Sequence, residues 1–158
     1  FRSIDNASSD ASIANIHENY PSVDVLALDK NYGCGPAYNL AFKYLEKYQS
    51  DYILSLNTDT TVEFDLLDRL EEGINVYGSG HWFCPIIHYL DSPNKIWYAG
   101  GNINLKWGCI SHRGLRKLNC DKYSIPIQTD YITGCCLFTS WKVIKILDGF
   151  DNQFNMYG

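Results

Sequence analysis

The sequence has no long apolar run and none of the features of a secretory leader. No stretch approaches the roughly 18 consecutive apolar residues of a transmembrane helix. The first residues carry neither the basic nor the apolar region of a signal peptide. Basic residues are also few, since 13 Lys and Arg stand against 18 Asp and Glu in 158 residues, a net charge of −5. This balance argues against sequence-independent nucleic-acid binding, which needs a basic face, but it leaves room for one bound phosphate ligand.

The spacing of a structural metal or disulfide framework is missing as well. The six cysteines form no C-x-x-C pair, and the four histidines complete no zinc ligand set. We therefore expect six buried, free thiols in a reducing compartment, and a cytoplasmic protein. No pattern in the sequence predicts an oligomeric state.

Two nucleotide-binding motifs are incomplete or absent. Gly33-Cys34-Gly35 follows an apolar run and opens a helix, but the third glycine of a dinucleotide fingerprint would be needed at Tyr38. No glycine-Lys-Ser/Thr phosphate loop occurs. These absences exclude an ordinary NAD site and a nucleoside triphosphatase. The exposed N–H groups of this helix start remain suited to a ligand phosphate.

What is present is a globular composition, 46% apolar and 15% aromatic, with strands and helices alternating in the first half. Strand, helix, strand, helix and strand at this spacing predict a parallel sheet with crossover helices. The strands predicted are Phe1–Ile4, Val23–Leu28 and Tyr52–Leu56. Helices are predicted after Asp10, after Pro36 and over Asp65–Tyr77.

The second half changes to short strands, so we expect a smaller β-rich part beginning near Gly80. Its predicted strands are Trp82–Tyr89, Ile96–Tyr98, Ile103–Trp107 and Tyr131–Thr139, followed by a helix capped by Ser140. We predict one α/β domain over residues 1–158, which itself reads as a piece cut at both ends.

Polar loops follow the three predicted parallel strands, and ligands in such sheets bind beyond the carboxyl ends of the strands. Asp5-Asn6, Asn31–Gly35 and Asn57-Thr58-Asp59 are therefore expected to face one cleft. Asp59 either binds Mg²⁺ or Mn²⁺ together with diphosphate oxygens, or caps a local turn. Asp5 either hydrogen-bonds a base or ribose, or belongs to a helix-capping turn.

Taken together, these segments resemble the family 2 glycosyltransferases of the GT-A fold, and especially their rhamnosyltransferase-like bacterial members. The resemblance follows chain order across nearly the whole sequence. It rests on Ile4–Asp10, Asn31–Asn39, Leu56–Asp59, Trp97–Gly101, Thr133–Cys136 and Gly149–Gly158. It implies a Rossmann-like, mostly parallel sheet, with a nucleotide-sugar-binding half over 1–79 and an acceptor-side half over 80–158.

The resemblance also implies roles for individual residues. Asp59 would hold Mg²⁺ or Mn²⁺ on the donor diphosphate, and a carboxylate base would serve direct, inverting displacement. Thr133, Gly134 and Gly101 would lie on the acceptor side. The residues implied to bind the nucleotide sugar are Asp5, Ala7, Ser8, Asn31, Gly33, Gly35 and Asn57.

The implied reaction moves a sugar from a UDP- or dTDP-linked donor to a glycan or lipid-linked acceptor. This would place the protein in bacterial cell-surface polysaccharide biosynthesis, in the cytoplasm, with peripheral association at the inner face of the plasma membrane. No nucleic-acid partner is expected.

Two departures keep alternatives open. Asn57 stands where the metal motif of the family usually begins with Asp, and the expected base lies beyond Gly158. The alternatives are a catalytically incomplete glycan-binding or assembly module and a sugar nucleotidyltransferase. The first would lack the acidic pair after Gly158, and the second would carry a glycine-rich, basic phosphate loop near its start.

Overall fold

The computed structural model describes residues 1–154, and these pack into two units. The first consists of Phe1–Ser50 together with the described residues from Ile144 onward, and the second is Asp51–Val143. These units are defined by which residues pack together. The division into a nucleotide-sugar-binding half over 1–79 and an acceptor-side half over 80–158 stays a prediction.

The first unit contains the predicted strand-helix-strand arrangement. Strand β1 (Arg2–Asp5) pairs in parallel with β2 (Asp24–Ala27), and helix α1 (Ser12–Asn19) connects them. Helix α2 (Cys34–Leu45) follows, and a 3-10 turn over Glu46–Tyr48 extends it.

Helix α2 begins where the backbone requires glycine. Gly33 precedes the helix with φ +82°, in the region that L side chains rarely adopt. Along the helix, Ala37, Ala41 and Phe42 are buried at helical spacing. The Phe42 ring stacks on Phe150, with ring centroids 6.0 Å apart. The apolar face of α2 therefore packs on the segment that follows residue 148.

The second unit is built from short strands and two helices. Its elements are β3 (Tyr52–Leu56), α3 (Leu66–Tyr77), β4 (Trp82–Phe83), β5 (Ile87–Tyr89), β6 (Ser92–Tyr98), β7 (Gly101–Asn104), β8 (Cys109–His112), α4 (Asp121–Ser124) and β9 (Cys136–Ser140). A three-stranded antiparallel sheet places β9 between β3 and β4. Two further antiparallel pairs are β5 with β6 and β7 with β8. Helix α5 (Trp141–Leu147) crosses the boundary between the units.

The expected mostly parallel sheet is not what the described residues form. Only β1 and β2 pair in parallel, and β3 pairs antiparallel with β9, Leu56 lying opposite Cys136. Strand β9 explains the difference, because all five of its residues are buried. A strand buried on both faces fills the centre of a sheet, and this one lies 80 positions beyond β3 in the chain.

Element limits agree with the sequence in some places and differ in others. The predicted helix over Asp65–Tyr77 is confirmed as α3. The predicted cap by Ser140 is also observed, because its hydroxyl accepts a hydrogen bond from the Val143 N–H at the start of α5. The prediction of a single strand over Trp82–Tyr89 is wrong. The segment forms two strands separated by Cys84–Ile86, where Pro85 has no N–H to donate to a ladder.

The expectation of six buried thiols is wrong for three of them. All six cysteines are free, but only Cys136 is fully buried and Cys84 and Cys135 are partly buried. The exposed ones are Cys34, Cys109 and Cys120. Burial raises the pKa of Cys84 to about 12 and that of Cys136 to about 11. A hydrophobic core cluster consists of Ile96, Ala99 and Tyr123, with Ile86 packed against it.

Candidate functional site

In the first unit, the predicted nucleotide-binding turn begins at the end of β1. Asp5 is buried, with 8% of its surface exposed, and its carboxylate accepts the Ser8 N–H at 2.9 Å. Ala7 between them has φ +64°, an uncommon conformation for a residue with a side chain. The turn is therefore a tight loop that a buried carboxylate holds in shape.

The side chain of Asn6 joins this turn to the loop after β2. Its Nδ2 donates to Asn31 Oδ1 at 3.0 Å and to the Gly33 carbonyl at 3.1 Å, and its Oδ1 accepts the Tyr32 N–H at 3.0 Å. Asn31 Oδ1 also accepts the Gly33 N–H at 2.9 Å. Two of the three predicted loops are thus brought into contact at the carboxyl ends of parallel strands. Sequence reasoning gave Asn6 no role, although it follows Asp5 directly.

The two glycines of the loop after β2 serve different local purposes. Gly33 provides the positive φ at the start of α2. A Cβ on Gly35 would lie 3.3 Å from the Phe154 carbonyl oxygen and 3.4 Å from Phe150 Cβ, so packing against the segment after residue 148 accounts for this glycine. Their implied contact with a nucleotide sugar stays a prediction.

In the second unit, the candidate metal ligand follows β3. Asp59 is exposed, and in the part of the chain that the structure describes its carboxylate accepts no hydrogen bond. The loop is closed instead by Thr60, whose hydroxyl donates to the Asn57 carbonyl at 2.7 Å. Thr60 donates to a carbonyl in this bond and does not replace a cap by Asp59, so the choice between metal ligand and turn cap for Asp59 stays a prediction.

Strand pairing places two of the candidate acceptor residues, Thr133 and Gly134, near the loop that follows β3. The Asn57 N–H donates to the Cys135 carbonyl at 3.0 Å, which continues the β3–β9 ladder by one residue. The pKa of Cys135 is raised, first by burial and second by the negative charge of Asp59. Thr133 lies two residues away and its hydroxyl accepts the Cys135 N–H at 3.3 Å. The sequence placed Cys135 in the motif Thr133–Cys136, but it did not place Cys135 beside Asn57, because that position follows from long-range strand pairing.

The two acceptor-side glycines differ in what surrounds them. Among residues 1–154, nothing would lie within 4 Å of a Cβ on Gly134, so these residues leave its surface open. A Cβ on Gly101 would lie 2.1 Å from the Tyr131 ring. The Gly101 N–H also donates to the Thr129 hydroxyl. Packing against Tyr131 explains Gly101, and its contact with an acceptor stays a prediction.

The donor set fits a hard divalent cation only in part. Among residues 1–154, no group of three or more His, Cys, Asp or Glu side chains is placed to hold a metal ion. A single open carboxylate such as Asp59 is nevertheless the kind of ligand that Mg²⁺ or Mn²⁺ uses when phosphates and waters complete its coordination.

One comparison with known proteins gives a match, and it covers most of the chain. A family model described as "Glycosyl transferase family 2" matches residues 3–140, and that span contains every candidate residue named above for the site. A search of curated proteins finds no match to this chain. Within the described residues, no helix is long and apolar enough to cross a lipid bilayer. The segment Tyr157–Gly158, which contributed to the resemblance, lies outside the described residues.

Proposed function

Because this chain belongs to glycosyl transferase family 2, we propose that it transfers a sugar from a UDP- or dTDP-linked donor to a glycan or lipid-linked acceptor. Glycosyltransferase activity and the need for a nucleotide-sugar donor follow from the family. The nucleotide, the inverting outcome, the metal and a rhamnosyl-type specificity belong to the proposal. So does its setting, cell-surface polysaccharide synthesis at the inner face of a bacterial membrane.

The observation that carries the proposal is the adjacency of Asp59 and the Thr133–Cys135 segment. Donor diphosphate and acceptor hydroxyl must meet at one anomeric carbon for the sugar to be transferred. The backbone bond between Asn57 and Cys135 supports this requirement, because it joins the loop assigned to the diphosphate to the segment assigned to the acceptor. Both loops lie within the second unit.

The turn after β1 and the loop after β2 would hold the nucleoside. The Asp5 carboxylate and the loops joined by Asn6 and Asn31 present amide and carboxylate groups suited to the hydroxyls and ring nitrogens of a nucleoside. Because Asn6 already holds both loops in place, little conformational freedom would be lost on binding.

In the second unit, Asp59 would hold Mg²⁺ or Mn²⁺, and the ion would neutralise the departing nucleoside diphosphate. The acceptor hydroxyl oxygen forms the new bond to the anomeric carbon while the bond to the diphosphate oxygen breaks. A carboxylate base takes the hydroxyl proton. We assign this base to none of the described residues.

Calorimetric titration of the full-length protein tests the donor half of the proposal. UDP, dTDP, GDP and NAD are each titrated with and without Mn²⁺. We expect metal-dependent binding of UDP or dTDP, weakened at least about tenfold in Asp59→Ala because a ligand of the metal is lost. Asp91→Ala is the matched control, since Asp91 is also an exposed carboxylate of the second unit but lies at the tip of the β5–β6 hairpin.

The results separate the proposal from its rivals. Binding of GDP or NAD alone would contradict the proposed UDP- or dTDP-linked donor. Equal binding by Asp59→Ala and Asp91→Ala would contradict the assignment of Asp59. Release of free sugar from UDP- or dTDP-sugars, or its transfer to a glycan primer, would establish catalysis. Glycan binding with no nucleotide binding would instead indicate the non-catalytic module.

A further inference from the structure

The β7–β8 hairpin exposes an unusual amount of apolar surface. Every residue from Asn102 to Ser111 is exposed, and a four-residue turn joins the two strands. An isolated two-stranded hairpin is marginally stable in water, and it usually packs one face on another element or on a partner. Over most of its length, neither face of this hairpin is buried against another element of the described residues.

The two faces of the hairpin differ in character. Ile103 lies directly opposite Ile110, so these two side chains share one face. They are 38% and 65% exposed. The other face carries polar pairs, Asn102 opposite Ser111 and Asn104 opposite Cys109.

The tip of the hairpin adds two large apolar side chains and a cation. Leu105 is 90% exposed and Trp107 is 72% exposed. The ammonium nitrogen of Lys106 between them lies 5.7 Å from the centre of the Trp107 ring. Tryptophan beside lysine suits the boundary between lipid headgroups and acyl chains, because the ring inserts while the ammonium group stays at the phosphates.

Charge is distributed unevenly along the chain, and the hairpin lies where it is positive. Between Gly101 and Lys122 there are five Lys and Arg residues and one acidic residue, Asp121. The Arg113 guanidinium donates to backbone carbonyls, and the other four basic residues are exposed. The rest of the chain has 8 Lys and Arg against 17 Asp and Glu. A basic segment with exposed apolar residues, within an acidic protein, is complementary to a negatively charged surface that is apolar beneath its headgroups.

We propose that the β7–β8 hairpin docks on an anionic lipid bilayer, with Leu105 and Trp107 inserted at the headgroup boundary and Lys106 at the phosphates. This proposal identifies a surface and its ligand and does not depend on the nucleotide site. Docking would hold an acceptor carried by a membrane lipid near the protein, which would raise its local concentration.

Vesicle sedimentation of the full-length protein, without nucleotide, tests the proposal. Vesicles of phosphatidylcholine alone are compared with vesicles containing phosphatidylglycerol. We expect binding to the anionic vesicles only, and we expect it to weaken as salt is added. Leu105→Ser combined with Trp107→Ser should reduce the affinity about tenfold or more, because the inserted apolar surface is lost. Lys106→Glu should reduce it by a similar factor through charge alone.

The β5–β6 hairpin supplies a matched control. Its tip carries Leu90, which is 75% exposed, next to Asp91 instead of a lysine. Leu90→Ser should leave vesicle binding unchanged. Each of these residues is exposed, and thermal unfolding checks that every variant retains its fold.

Several outcomes would overturn the proposal. One is equal binding to neutral and anionic vesicles, or no binding to either. Another is vesicle binding by the Leu105/Trp107 double variant equal to that of Leu90→Ser. Self-association without lipid, abolished by the double variant, would assign the hairpin to a second copy of the chain.

Discussion

The side chain of Asn39 hydrogen-bonds to both backbone groups of Phe150, a residue 111 positions later in the chain. Asn39 Nδ2 donates to the Phe150 carbonyl at 2.8 Å, and Asn39 Oδ1 accepts the Phe150 N–H at 2.8 Å. Nδ2 also donates to Asn152 Oδ1 at 2.9 Å. One amide on helix α2 therefore holds the turn after α5 as a neighbouring strand would.

Removing this amide should loosen the first unit. Asn39→Ala removes both hydrogen bonds that the Asn39 amide makes to the Phe150 backbone, and we expect a loss of about 1–3 kcal/mol in the free energy of unfolding. Asn19→Ala is the control, because Asn19 makes a single exposed bond within α1, and it should cost under about 0.5 kcal/mol. Urea unfolding measures both, and equal midpoints would show that the bonds to Phe150 contribute nothing.

The stability lost when Gly149 is replaced by alanine should depend on the Asn39 side chain. Gly149 has φ +80°, and a Cβ there would lie 2.2 Å from Asn39 Oδ1. Gly149→Ala should therefore cost about 1–2 kcal/mol for its left-handed backbone, and more for the clash. Gly108→Ala has a positive φ with nothing within 4 Å, so it measures the backbone cost alone.

The coupling between these residues can be measured by a double-mutant cycle. In an Asn39→Ala background, Gly149→Ala should cost about as much as Gly108→Ala. Strict additivity of the Asn39 and Gly149 substitutions would contradict the steric explanation.

Loss of the Asn6 side chain should weaken nucleotide binding even at temperatures where the variant remains folded. Asn6→Ala removes the bonds to Asn31, Gly33 and Tyr32, which hold two loops of the proposed nucleoside site together. We expect nucleotide affinity to fall about tenfold, because the loops would have to be ordered on binding. Calorimetry below the unfolding temperature measures this loss, and unchanged affinity in a destabilised variant would confine Asn6 to a structural role.

The two acceptor-side glycines should respond to alanine in opposite ways. Gly101→Ala places a Cβ against the Tyr131 ring and should destabilise the protein by about 1–3 kcal/mol. Gly134→Ala meets no atom within 4 Å and should leave stability within about 0.5 kcal/mol. If Gly134 borders the acceptor, its variant should raise the KM for acceptor while thermal unfolding stays unchanged.

Thiol reactivity should separate the cysteines by exposure. The pKa values of about 12 for Cys84 and about 11 for Cys136 leave almost no thiolate near pH 8. Alkylation of the folded protein, followed by mass spectrometry, should modify the exposed Cys34, Cys109 and Cys120 first. Modification of Cys84 at a similar rate would contradict its burial.

The same shift predicts a loss of stability in alkali. Burial raises the pKa of Cys84 in the folded protein, so the unfolded chain releases this proton first as the pH rises. The stabilising contribution is complete below about pH 8.5, the ordinary thiol value, and declines toward about pH 12. Urea unfolding at increasing pH should show this decline, and Cys84→Ala should make it shallower at a lower overall stability. An equal slope in both proteins would count against the shift.

The sequence alone determined the local elements and the family. Helix α3 and strand β3 follow from periodicity and from nearby turn residues, and these signals act over a few positions. The motifs around Asp5, Asn31 and Asp59 identified the family because their order along the chain is itself a property of the sequence.

Only the tertiary structure decided which elements pair and which side chains meet. An apolar run such as Tyr52–Leu56 satisfies its backbone equally well beside a parallel or an antiparallel neighbour, so its pattern does not name the partner. The choice of β9, 80 positions away, depends on burying that strand on both faces. The same holds for the bonds between Asn39 and Phe150, because contacts that close long loops leave no period in the sequence.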